Sequence, residues 1–200
     1  KGLLQMDVRV TFAIRPSSRY ASRAAKLAKE RGTPVIVYLP SGADGSKTPE
    51  NERMVPSEPD AVIVKKLEKS FEALPDAEGI MVSVESRSDD DVRGLETIMN
   101  TLRSSHRCFI DMLPYARSSG CAVAGRRWVK AAGTEGLIDG VFASSQGRAG
   151  LRSLFIAASE HAPSVVACTP DPEVIGLLVR ELPVLKSSGI RFVSAVEAAR

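Results

Sequence analysis

Short apolar runs rich in β-branched residues recur at residues 8–14, 34–39, 79–84, 107–111, 136–142, 164–168 and 190–194. Most are almost continuously apolar, which is the pattern of strands covered on both faces in a parallel sheet, because a half-exposed strand alternates polar with apolar residues. Between them lie stripes at helical spacing, such as Val64, Leu67, Phe71 and Leu74, or Val92, Leu95, Met99 and Leu102, each a face for packing on a sheet. Ser57 with Asp60 and Ser88 with Asp91 have the form of helix starts, where a hydroxyl satisfies an orphan amide and a carboxylate favours the positive helix end. Asp171 followed by Pro172 is a third start. Gly32 and Gly189 read as helix stops, and Pro183, inside the last stripe, predicts a kink. Repeated strand-then-helix order requires right-handed parallel crossovers, hence either an open doubly wound sheet or a closed barrel, and periodicity does not separate the two. The long polar loop at 41–56 follows a strand, so it falls on the face where such folds place their sites.

At 200 residues, with 44% hydrophobic and 26% charged content, the chain reads as one domain over residues 1–200. Its net charge of +3, from 27 basic and 24 acidic side chains spread along the whole length, is too weak and too even for a nucleic-acid footprint. The densest basic cluster, Arg126, Arg127 and Lys130 around Trp128, reads as the solvated face of a helix. No apolar run approaches the roughly 18 residues that cross a bilayer, so no transmembrane segment is expected, and residues 1–10 lack a signal-peptide core. Cys108, Cys121 and Cys168 have neither CxxC nor zinc-ligand spacing and read as free thiols. The stretch from Gly42 to Thr48 does not match a Walker loop, since Pro49 and charged residues follow where a helix should open. No dinucleotide fingerprint and no nucleophile elbow occur. His106 and His161 precede strands, which puts them at the stability-related end of the sheet, as surface or helix-end residues.

The residues just past the strand ends form the expected mouth: Arg15, Tyr38, Ser83, Glu85, Arg87, Asp111, Tyr115, Ser144, Gln146, Thr169 and Asp171. Glu85 and Asp111 are the candidate catalytic pair, as carboxylates for acid and base work. The competing reading pairs them with Arg15 or Arg87 in structural ion pairs. Arg15, Tyr38, Arg87, Asp111, Tyr115 and Gln146 are the candidate ligand contacts.

The string Val10-Thr-Phe-Ala-Ile-Arg-Pro16, a helix, and then Gly32-Thr-Pro-Val-Ile-Val-Tyr-Leu-Pro40 resembles the divergent polysaccharide deacetylase family. There, a strand ending in Pro leads through a helix to a strand ending His-Leu-Pro. The likeness continues through Leu74-Pro-Asp-Ala-Glu-Gly-Ile80, Arg107-Cys-Phe-Ile-Asp111, Val141-Phe142, Cys168-Thr-Pro-Asp-Pro172 and Leu182-Pro183 to Gly189-Ile190, in shared order over residues 8–196. The resemblance implies an α/β fold, a distorted β/α barrel of about seven mainly parallel strands, acting on N-acetylated envelope polysaccharide through a zinc ion held by Asp and His. It also implies a periplasmic or cell-envelope location. The family's Asp-Asp pair ends a first strand that would precede Lys1.

At the other metal positions the residue types change. Ser83 stands where the family has the His of Asn-Asn-His, Thr169 replaces the His of Gly-His-Pro, Tyr38 replaces the His of His-Leu-Pro, and Ser144 replaces an Asp; Asp111 survives. Zinc hydrolases need about three good ligands to hold the ion and acidify its water, and neutral hydroxyls are very weak ones. The expectation is therefore a catalytically inactive domain without a cofactor, whose mouth binds an envelope glycan or whose surface binds an envelope protein. One alternative is a zinc-dependent deacetylase, rescued by Glu85 and Asp111 in an oxygen-only site. The other is a structural subunit of a larger assembly.

Overall fold

A computed structural model describes residues 8–41, 49, 52–83, 88–114, 119–160 and 164–200. The elements run β1 (Phe12–Ile14), α1 (Ala21–Lys29), β2 (Val35–Leu39), α2 (Asp60–Ala73), β3 (Gly79–Val82), α3 (Asp89–Ser104), β4 (Cys108–Pro114), α4 (Ser119–Arg126), β5 (Ala131–Ile138), α5 (Gly140–Ser145), α6 (Gly147–Glu160), β6 (Val165–Cys168), α7 (Pro172–Ser187) and α8 (Ala195–Ala198).

All neighbouring strands pair in parallel, and their order in the sheet is their order in the chain. This resolves the choice left open by periodicity. Crossovers of one hand between successive neighbours put every connecting helix on one face, so the sheet curls as a half-barrel; a doubly wound sheet reverses direction part-way to cover both faces. The side chains follow suit. Val35, Val37, Leu39, Ile80, Val82 and Phe109 join one core with α1 to α4, and Ile138 and Val166 join another with α6 and α7. Ile36, Met81, Cys108, Ile110 and Ala132 point the other way, where Val193, Ala198 and Ala199 cover them. That inner cover is tied down at both sides. Ala131 and Arg200 exchange backbone hydrogen bonds of 3.0 and 3.2 Å, and the Ala195 amide donates to the Thr11 hydroxyl.

Six strands stand among the described residues where about seven were expected. Residues 190–194 are irregular, although Ile190 and Phe192 still pack with Val8 into the helix-side core and Phe192 meets Phe155 edge to face. Ser194, expected to end that strand, instead opens α8 with a reciprocal capping box to Glu197. The run at 136–142 is also divided. β5 begins earlier, at Ala131, and Asp139 caps α5 through a 2.7 Å bond from the Phe142 amide. Ser88 caps α3 as its spacing implied, whereas α2 starts after Pro59 without a side-chain cap, so Ser57 has no such role. Pro183 sits inside α7 without ending it.

Four helices finish in one backbone motif. The residue just past the helix donates to a carbonyl three back and the next residue donates to one five back, which satisfies the last free carbonyls. The residue in the left-handed conformation is Gly32 after α1, His106 after α3, Trp128 after α4 and Gly189 after α7, with φ of 60°, 55°, 58° and 92°. Glycine occupies this region freely, and a side chain there costs about 1 kcal/mol or more.

Candidate functional site

The site a barrel of this kind offers is the inner wall at the carboxyl ends of the strands. Alternation along each strand decides what stands there. Tyr38 on β2 and Met112 on β4 lie on the inner side, and Ser83 continues the inward alternation of Met81. On β5, Leu137 is 44% exposed between outward-facing Gly136 and Ile138, beside Ala167 of β6. Thr134 is buried, and its hydroxyl donates to the Met112 carbonyl at 2.8 Å. Arg15, just past β1, holds its guanidinium 5.7 Å from the Tyr38 ring centre, a cation–π distance. Thr169 follows β6, and its hydroxyl donates to Asp171 Oδ2 at 2.6 Å. Asp171 is the residue before α7, as expected, but makes no side-chain cap bond there.

Asp111 does not join this wall. It is fully buried, and its Oδ2 lies against Gly120 of α4 together with the Phe109 ring. Its side chain therefore occupies the helix side of the sheet, opposite Tyr38 and Met112. Ser144 and Gln146 are also elsewhere. Both are exposed at the end of α5, and Ser144, hydrogen-bonded to the Val141 carbonyl, lines an outer groove with Arg148, Glu173, Gly176 and Arg180. Glu85, Arg87, Tyr115 and His161 lie outside the described residues. His106 is exposed at the opposite end of the sheet, where its place before β4 implied.

The structure thus brings Arg15 and Tyr38 together, and separates Asp111 from them by the thickness of the sheet. Met112, Thr134 and Leu137 were not foreseen as wall residues. Two of the three lie on β5, whose Ala-Ala-Gly-Thr-Glu-Gly start is poor in β-formers.

Zinc requires imidazole, thiolate or carboxylate donors. The described wall offers a phenol, three hydroxyls, a guanidinium, a thioether and alkyl groups, and no three His, Cys, Asp or Glu residues converge among the described residues. These residues do not fit a zinc ion. Cys108 faces inward deeper down, where burial pushes its thiol up to about 11, well away from the thiolate form that binds metal.

A solved structure agrees with this architecture. The crystal structure of uncharacterized protein ATU2773 from Agrobacterium tumefaciens C58 superposes with a TM-score of 0.73 at 15% identity, over 95% of this chain and 87% of that one, a likeness of fold. An AP endonuclease, family 2, from Brucella melitensis gives a TM-score of 0.46 at 13% identity, over 95% of this chain and 82% of that one. No curated protein matches the chain significantly. The family model for divergent polysaccharide deacetylases matches residues 1–199, and the chain belongs to that family.

Proposed function

We propose that this protein is a catalytically inactive member of its family, which keeps the barrel and uses the inner wall to bind an envelope glycan. The carrying observation is the donor set. The wall presents Tyr38, Ser83, Met112, Leu137 and Thr169, while the one acidic residue retained from the family pattern, Asp111, is buried on the helix side. Such a surface suits a neutral sugar. The Tyr38 ring on β2 and Leu137 on β5, three strands apart, provide separate apolar surfaces for the C–H faces of sugar units, and Arg15, Ser83 and Thr169 supply hydrogen-bonding groups along the wall. Arg87 and Tyr115, in the segments that follow β3 and β4, are the further contacts this reading assigns. A periplasmic or envelope location fits the same reading, and no helix among the described residues is long and apolar enough to cross a membrane.

Metal analysis of the purified protein, with a deacetylation assay on chito-oligosaccharide and peptidoglycan, tests the first half. No stoichiometric zinc and no acetate release are expected, and zinc together with turnover would overturn the proposal. Calorimetric titration with chito-oligosaccharide tests the second half: Tyr38→Ala should weaken binding about tenfold or more, as loss of an aromatic platform does. An unchanged affinity would move the ligand off this wall.

One observation favours a second reading, that of a subunit in an assembly. Among the described residues β1 pairs only with β2, and β6 only with β5, and open edges invite a partner strand. Light scattering decides it, since a stable monomer is the result that removes this reading.

A further inference from the structure

We infer that the end of the barrel opposite the inner wall's mouth is a docking surface for an anionic lipid bilayer, with Trp128 as the inserted residue. His106 and Trp128 stand three residues before Phe109 and Ala131, which are partners in the β4–β5 register, so the two left-handed residues lie side by side below neighbouring strands. They are the only non-glycine residues with positive φ among those described. His106 and Trp128 are both exposed, Trp128 at 83%, the most of any large apolar side chain described. A backbone conformation that favours glycine is occupied here by the largest side chain, and packing gives no reason for it. Strain kept at an exposed position points to a role for the side chain.

The surroundings supply the second element. Arg103, Arg126 and Lys130 flank these two helix ends, all exposed, and none has an ion-pair partner among the described residues. Glu96 is paired with Arg127 at 2.6 Å and also feels the charge of Arg126. Cations in the last turn of a helix suit its negative end, which accounts for Arg103 and Arg126 but not for the indole. An exposed indole beside cations that form no close ion pair among the described residues matches the interfacial layer of a membrane, where the ring sits at headgroup depth and the cations meet lipid phosphates. Association is peripheral, and it turns the mouth of the barrel away from the lipid.

Trp128 is the single tryptophan of the chain, so its emission reports the event directly. Vesicles of phosphatidylcholine mixed with phosphatidylglycerol should shift the emission to the blue, vesicles of phosphatidylcholine alone should not, and salt should reverse the shift. In co-sedimentation, Arg126→Gln with Lys130→Gln should lower partitioning about thirtyfold, and Trp128→Gly about tenfold. The glycine variant relieves the backbone, so its loss of binding is not a loss of folding. Unchanged emission, equal partitioning to neutral vesicles, or full binding by Trp128→Gly would overturn the inference. So would an equal shift with soluble polyglutamate, which would assign the surface to acidic polymers.

Discussion

The Asp111 carboxylate lies 2.5 Å from the point where a Cβ on Gly120 would sit, and two carbons of the Phe109 ring lie 2.7 and 2.9 Å from it. Helix α4 reaches the sheet only because residue 120 has no side chain. Gly120→Ala should therefore destabilise the fold by about 1–3 kcal/mol through overpacking, measured as a lower urea midpoint. Asp111→Ala should also lose about 1–3 kcal/mol, the usual cost of breaking a buried polar arrangement. Full stability in both variants would mean that α4 is seated differently.

The four matched helix ends give predictions of opposite sign. Trp128→Gly and His106→Gly should each stabilise the protein by about 0.5–1 kcal/mol, because relief of the left-handed strain exceeds the extra chain entropy of glycine. Gly32→Ala should cost about 1 kcal/mol. Space is open around Gly32, so only its φ of 60° opposes the methyl group. Thermal melts of the three variants check the ranking.

Burial at Cys108 sets an alkaline limit on stability. Its folded pKa of about 11 exceeds the unfolded value of about 8.5, so between those values the folded state binds more protons than the unfolded one. Stability must then fall as pH rises through that window. The loss is about 3 kcal/mol by pH ~11, and Cys108→Ala should flatten the decline in denaturation measured across this range. An unaltered slope in the variant would assign the decline to other groups.

Glu181 of α7 is 2% exposed and bridges Arg148 at 3.0 Å and Arg152 at 2.8 Å, both of which extend into solvent. Glu181→Ala should cost about 1–3 kcal/mol, below the usual figure for breaking a buried pair, since both guanidiniums can turn to water. Glu181→Leu should lose less than the alanine variant, because an apolar side chain suits the surrounding leucines. If leucine proves the worse replacement in chemical denaturation, the ion pairs themselves carry the stability.

Much of the scaffold was legible where one local rule governs one element. The hydroxyl of Ser88, the apolar stripe of α3 and the glycines at 32 and 189 needed no tertiary context. β5 was misplaced because Ala131 to Gly136 carries little β-branched signal and the sheet imposes its conformation. The segment at 190–194 shows the converse, since it has strand-like residues but is held by packing on Phe155 rather than by ladder hydrogen bonds. The candidate site was the least legible part. In an almost wholly apolar strand such as β4, nothing local says which side faces the helices, so Asp111 and Tyr38 were grouped on one wall although alternation places them on opposite sides.

The cover formed by Val193, Ala198 and Ala199 also bears on how the molecule is made. Thr11 and Ala195, whose contact helps to seat that cover, are 184 positions apart. While the nascent chain leaves the ribosome, Ile36, Met81 and Ile110 can find their helices' sheet but not their lid. The growing polypeptide thus carries an oily, unsealed face until residues 193–199 have been made and docked, and until then it is a natural substrate for chaperones.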